Sequence, residues 1–159
     1  LGDVYKRQAQ CVALGLRDAR SEFIARSALI VSIYAHRRGY TAQVRLDARN
    51  FHDPDPGPLR DHSGLHPDIV ERLVGCDIFP QWLEDARDKI RIAIQRARDT
   101  TARLVTILVC CNAGRHRSVA AAEVIKHPLE TVENLRTLPT VHLSARFNRG
   151  HCACRACSP

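Results

Sequence analysis

The sequence predicts an α/β domain: a small sheet of about four strands, mainly parallel, flanked by helices. Three observations predict it. Residues 104–110 (LVTILVC) form a continuous apolar run rich in β-branched residues, the pattern of a strand buried on both faces. Residues 80–100 place Trp82, Leu83, Ala86, Ile90, Ala93, Ile94 and Ala97 on one stripe with charged residues opposite, as an amphipathic helix does. Two further strand-like segments, 28–34 and 41–48, precede that helix.

In chain order, residues 1–8 (LGDVYKRQ) read as adaptor-derived sequence, and no Met occurs anywhere. A single α/β domain is expected over 9–145, with a Cys-rich tail at 146–159. Val12, Leu16, Ala19 and Phe23 recur at helical spacing within 8–26. Residues 28–34 are a β-branched apolar run, followed by the basic turn His36-Arg37-Arg38-Gly39. Residues 41–48 alternate Ala42, Val44, Leu46 and Ala48 against polar neighbours, a half-buried strand that ends near Arg49. Residues 51–64 (FHDPDPGPLRDHSG) hold three Pro, two Gly and two His and read as a long loop. Its His and Asp residues suggest a metal site, but Asp and Pro are also ordinary turn residues.

Residues 66–75 suit a short helix, with Pro67 in its first turn and Gly75 at its end. After the 80–100 helix and the 104–110 strand, a helix is expected over 118–126, with Pro128 marking its end. Residues 129–137 suit one or two more helical turns, and 140–144, with His142, a last short strand.

The stretch that carries chemistry is 111–118, Cys-Asn-Ala-Gly-Arg-His-Arg-Ser. A strand, a short loop with one Gly and a helix N-terminus present backbone N–H groups to an anion. Asn112, Ala113, Gly114, Arg115, His116, Arg117 and Ser118 are therefore candidate phosphate-binding residues. The basic turn holding His36 and the 41–48 strand end near Arg49 lie at strand carboxyl ends, the edge where α/β sheets bind ligands, with a solvated turn as the alternative for His36. An Arg at a helix N-terminus opposes the helix dipole unless an anion is present. Cys111 and Arg117 also fit C-x5-R, the spacing of cysteine-dependent phosphatases. In that reading Cys111 is the thiolate nucleophile, Arg117 clamps phosphate, Ser118 assists the leaving thiolate, and Asp53 or Asp55 is the general acid. Adjacent Cys110 and Cys111 point to opposite faces of a strand end, so only one faces the loop.

The net charge is +7, from 24 basic and 17 acidic residues. An Arg excess favours a phosphorylated or polyanionic partner, although it also follows from GC-rich coding. Aromatics are 5%, which argues against a base-stacking surface for single-stranded nucleic acid. No apolar run approaches the ~18–20 residues of a membrane span, so no membrane partner is expected. Seven Cys, an odd number, without a visible export signal suggest a reducing, cytoplasmic setting. The oligomeric state is not indicated. In the tail, His151, Cys152, Cys154 and Cys157 suggest zinc. Against it, C-x-C-x2-C departs from the usual paired C-x2-C, and adjacent His151 and Cys152 are poorly placed for one ion. An unpaired tail is the alternative, and no other cofactor is required.

Three segments resemble one family. Residues 111–118 resemble the Cys-Thr-Gly-Gly-Lys-His-Arg-Ser signature of the RapZ C-terminal domain. Asp47-Ala48-Arg49-Asn50-Phe51, with Ser63-Gly64-Leu65 downstream, resembles its Asp-Val-Arg and Thr-Gly-Leu segments, and 32–39 loosely resembles its Ser-Phe-Gly…His-Gly segment. The resemblance spans about 28–145. It implies a fold like a phosphofructokinase subdomain and a site for glucosamine-6-phosphate lined by Asn112, Ala113, His116 and Arg117, with Arg49 and His36 near it. In full-length members it implies small-RNA binding beside an N-terminal P-loop domain. No G-x4-G-K-[ST] occurs here, so ATP hydrolysis does not carry over. Asn112 replaces Thr and Ala113 replaces Gly, which bears on loop shape and sugar preference. The expectation is a regulatory domain that binds a sugar phosphate or nucleotide, with RNA as a further partner. The alternative is a cysteine-dependent phosphatase.

Overall fold

A computed structural model describes residues 27–34, 40–52, 58–100, 102, 104–131, 136–143, 152 and 154–157. The expected helix over 8–26 and the turn containing His36 lie outside the described residues. The chain runs β1 (Ser27–Tyr34), β2 (Val44–Asp47), α1 (Pro67–Val74), α2 (Phe79–Asp99), β3 (Leu104–Cys111), α3 (Arg117–Thr131), β4 (Arg136–Thr137) and β5 (Val141–His142).

Among the described residues the sheet has five strands in the order β2-β3-β1-β4, with β5 also on β1, and every pairing is parallel. Both β4 and β5 pair with β1, at Ser27–Ala28 and at Val31–Ser32 respectively, so two short strands form one edge. This accounts for four expected strands becoming five. The stretch expected to be helical beyond 129 instead yields the tail of α3 and then β4.

Alternation assigns the two faces of β1 and β3. Ala28, Ile30, Ile107, Val109 and Cys111 join one buried cluster with α1, α2 and α3. Leu29, Val31, Ile33, Leu108 and Cys110 form a second, with Leu138 and Leu143. A fully buried Ile or Val contributes about 1.5–3 kcal/mol over its exposed state, so β1 and β3 form the rigid spine. Ala120, Ala121 and Ala122 are fully buried, and their small side chains let α3 lie close to the sheet.

One helix end differs from expectation. Pro128 lies inside α3, which continues to Thr131. A proline cannot donate to the carbonyl one turn back, but Leu129 beside it is buried in the main core. Burial of Leu129 offsets the lost hydrogen bond, and the helix ends one turn later. His66 caps α1, its Nδ1 accepting from the Asp68 N–H at 3.3 Å.

Candidate functional site: the loop between β3 and α3

The loop leaves the carboxyl end of the central strand β3. Gly114 has φ 69°, a left-handed backbone that glycine adopts without steric cost. That turn redirects the chain into α3. Cys111 ends β3 and is buried. Its Sγ accepts the Gly114 N–H at 3.2 Å and donates to Ser118 Oγ at 3.2 Å. The sulfur therefore braces the loop from strand end to helix start. Cys110 lies in the opposite cluster, as the pleat requires. Burial pushes its thiol up, and the Asp47 carboxylate adds to the shift.

The loop's basic side chains have protein partners. Arg115 Nε and His116 Nε2 both donate to the His62 carbonyl at 2.9 Å. A carbonyl only accepts, so His116 carries its proton on Nε2 in this contact. Gly64 N–H donates to the Arg115 carbonyl at 2.9 Å. A Cβ on Gly64 would lie 2.2 Å from the His116 oxygen and 2.5 Å from the Ala120 nitrogen, so only glycine lets the 62–64 segment lie against the start of α3. Arg117 is buried, and its Nη1 donates to the carbonyls of Arg49 and Phe51 at 2.7 and 2.9 Å.

Arg49 sits just past β2 with its guanidinium on Asp47, Nε lying 2.9 and 2.8 Å from the two carboxylate oxygens. Hydrogen bonding from Arg49, outweighing partial burial, holds the Asp47 carboxyl below its usual range. Trp82 Nε1 donates to the Asp47 carbonyl at 2.8 Å, and Trp82 packs edge-on against Phe51 at 5.2 Å. The helix α2 thereby holds the turn that supplies carbonyls to Arg117. His36, Asp53, Asp55 and His151 lie outside the described residues.

Four positions matter more than their local sequence suggests. The sequence places His62 in a proline-rich loop and raises a metal site there, but it is the His62 carbonyl that gathers two loop cations. Gly64 enters the sequence reading only through a resemblance; a glycine ending a proline-rich stretch is the available signal. Ser32 and His142, paired across β1 and β5, form a 2.6 Å Oγ–Nδ1 hydrogen bond, and His142 Nε2 lies 3.6 Å from Glu123 Oε1 on α3. Nothing local in the sequence joins those three.

Strand, glycine turn and helix start at the carboxyl edge of a parallel sheet define an α/β domain. The RapZ C-terminal domain family matches residues 27–144, and the chain belongs to that family. Curated relatives include a nucleotide-binding protein of Mycobacterium sp. (strain KMS), 27% identical over 76% of this chain and 40% of its own length. Others are nucleotide-binding proteins of Mycolicibacterium smegmatis, 32% identical over 65% of this chain and 38% of its own length, and of Rhizorhabdus wittichii, 33% identical over 61% and 32%. The chain spans about two fifths of the length of the first of these relatives. Among the described residues, no helix is long and apolar enough to cross a membrane.

Proposed function

We propose that this is a regulatory domain that binds a phosphorylated small molecule, a sugar phosphate such as glucosamine-6-phosphate or a nucleotide, over residues 112–117. The observation that carries it is the Gly114 turn, φ 69°, at the junction of the central strand and α3. That turn brings the N-terminus of α3, the positive end of its dipole, to a sheet's ligand edge. The buried Arg117 guanidinium adds positive charge behind the loop. Exposed Asn112 and half-buried Ala113 form its outer rim. The printed names of the curated relatives favour a nucleotide or another phosphate ester. RNA as a further partner rests on the +7 net charge and on the family's full-length members.

The test is calorimetry with glucosamine-6-phosphate, a nucleoside monophosphate and inorganic phosphate. Asn112→Asp places a carboxylate at the rim without touching the core, and should weaken phosphate-ester binding by about tenfold or more. Equal affinity in that variant, or no binding of any phosphate ester to the parent, would sink the proposal.

A second reading is cysteine-dependent phosphatase. It is favoured by Cys111 Sγ facing the loop at 3.2 Å from both the Gly114 nitrogen and Ser118 Oγ. Against it, Cys111 is 1% exposed, so a phosphorus atom would need the loop to open for in-line attack. Vanadate-sensitive turnover of an aryl phosphate, abolished by Cys111→Ser, would establish catalysis; its absence leaves the binding reading.

A further inference from the structure

The 62–64 segment that braces the signature loop also meets the distant Cys-rich tail. His62, Cys152, Cys154 and Cys157 place one ligand atom each so that all four lie within 4.8 Å of one another. Cys154 Sγ is 3.3 Å from His62 Nδ1, Cys157 Sγ is 3.6 Å from the same nitrogen, and Cys152 Sγ is 3.5 Å from Cys154 Sγ. A tetrahedral zinc with Zn–S of about 2.3 Å and Zn–N of about 2.0 Å has ligand-to-ligand edges of roughly 3.5–3.8 Å. These three separations, 3.3–3.6 Å, are close to those edges. The 3.5 Å between the Cys152 and Cys154 sulfurs is far too long for a disulfide, whose S–S bond is about 2.05 Å, and none of Cys152, Cys154 and Cys157 is in a disulfide.

We infer that His62, Cys152, Cys154 and Cys157 bind one zinc ion as a Cys3His structural site. The donor set is the kind that closes a tetrahedron without an open position, and soft thiolates select zinc over calcium or magnesium. The surroundings fit as well. The Ser63 N–H donates to Cys157 Sγ at 3.3 Å, the sort of outer contact that orients a metal-bound thiolate. The ring of His66 lies edge-on to that of His62 with centroids 4.3 Å apart, which restricts rotation of the ligating ring. The sequence-based objection, that adjacent His151 and Cys152 are poorly placed for one ion, does not apply when the imidazole is His62, ninety residues upstream of Cys152.

The site would have a consequence beyond the tail. The His62 carbonyl accepts from Arg115 and His116 while its Nδ1 faces the thiols. One residue thus links the tail to the signature loop. Zinc would fix the turn at 154–157 to the segment that shapes the signature loop. This inference stands on the thiol and imidazole geometry and is independent of what the loop binds.

The experiment uses the full chain purified in reductant, dialysed against metal-free buffer and analysed for metal by plasma mass spectrometry. About one zinc per chain is expected. Cobalt substitution should give the visible bands of a tetrahedral thiolate site. His62→Asn and Cys154→Ser should each lose most of the metal, whereas Cys76→Ser should keep it. Circular dichroism on each variant separates metal loss from unfolding. Zinc should raise the melting temperature of the parent but not of folded Cys154→Ser. Less than about a tenth of an equivalent in the parent, with no cobalt spectrum, would overturn the site. So would full metal content in the Cys154→Ser/Cys157→Ser double variant, or a tail disulfide formed in place of metal. Metal lost on His151→Asn but kept on His62→Asn would overturn the assignment of His62.

Discussion

Arg117 Nη1 lies 2.7 Å from the carbonyl oxygen of Arg49. The same nitrogen reaches the Phe51 carbonyl at 2.9 Å, so the first residue of α3 is fastened to the turn after β2. A cation at a helix N-terminus opposes the dipole, and two carbonyl dipoles partly offset that here. Arg117 is therefore a structural clamp as well as a source of charge. Arg117→Ala should leave two carbonyls unsatisfied and destabilise the fold by about 3 kcal/mol, since hydrogen bonds to a charged group contribute about 1.5–3 kcal/mol each. Arg117→Lys should recover only part of it, because an ammonium lacks the planar fork. Urea unfolding measures both, and an alanine variant with the parent's midpoint would remove the clamp.

Gly64→Ala should be costly, because the new methyl meets backbone atoms at 2.2 and 2.5 Å that cannot swing away. Overpacking of this kind costs about 1–3 kcal/mol, and ligand binding should weaken as the 62–64 segment moves off the loop. Gly75→Ala is the control. Gly75 has φ −74°, and its nearest obstacle is the Glu71 oxygen at 3.2 Å. Its change should stay within about 0.5 kcal/mol of the parent. Equal melting temperatures for the two variants would refute the close approach at Gly64.

Asp47 should titrate below the ordinary carboxylate range. Its proton affinity is depressed in the folded state, so the unfolded chain binds more protons near pH 4. The stabilisation is present above the unfolded value and is lost as pH falls through the folded one. The Asp47 and Arg49 side chains are 41% and 48% exposed, so the effect on stability is small. Carboxyl NMR across the acid range gives the midpoint; a value at or above that of an isolated Asp would contradict the Arg49 pairing.

His142 should titrate below an ordinary histidine. Burial disfavours its cation, and Glu123 only partly offsets this. The folded state keeps the ring neutral where the unfolded chain, with a value of about 6.5, is protonated. Stability should be fully present above that value and fall as pH drops through the folded midpoint. His142→Gln should flatten this limb of the pH–stability curve. An unchanged curve, or a His142 ring that titrates at or above 6.5 by NMR, would show that burial does not govern it.

Much of this architecture is legible in single segments. The runs of β1 and β3, the stripe of α2, and the opposite facing of Cys110 and Cys111 follow from side-chain period alone, because each element must bury one face. β5 (Val141–His142) falls inside the strand expected over 140–144, whereas β4 was not legible, since a two-residue strand has no period to read. The continuation of α3 past Pro128 was missed because local propensity competes with the burial of Leu129, which only packing reveals.

At the signature loop the division is similar. The string 111–118 by itself determined that a strand passes through a single glycine into a helix, and that cations cluster there. Only the tertiary structure decided where those cations turn: Arg115 and His116 toward His62, Arg117 onto the carbonyls of Arg49 and Phe51, and Arg49 onto Asp47. The same holds for the tail, where Cys154 meets an imidazole 92 positions away. Local periodicity encodes which face of an element is buried. Which distant groups share a site depends on how the sheet orders its strands, and no short stretch of sequence contains that information.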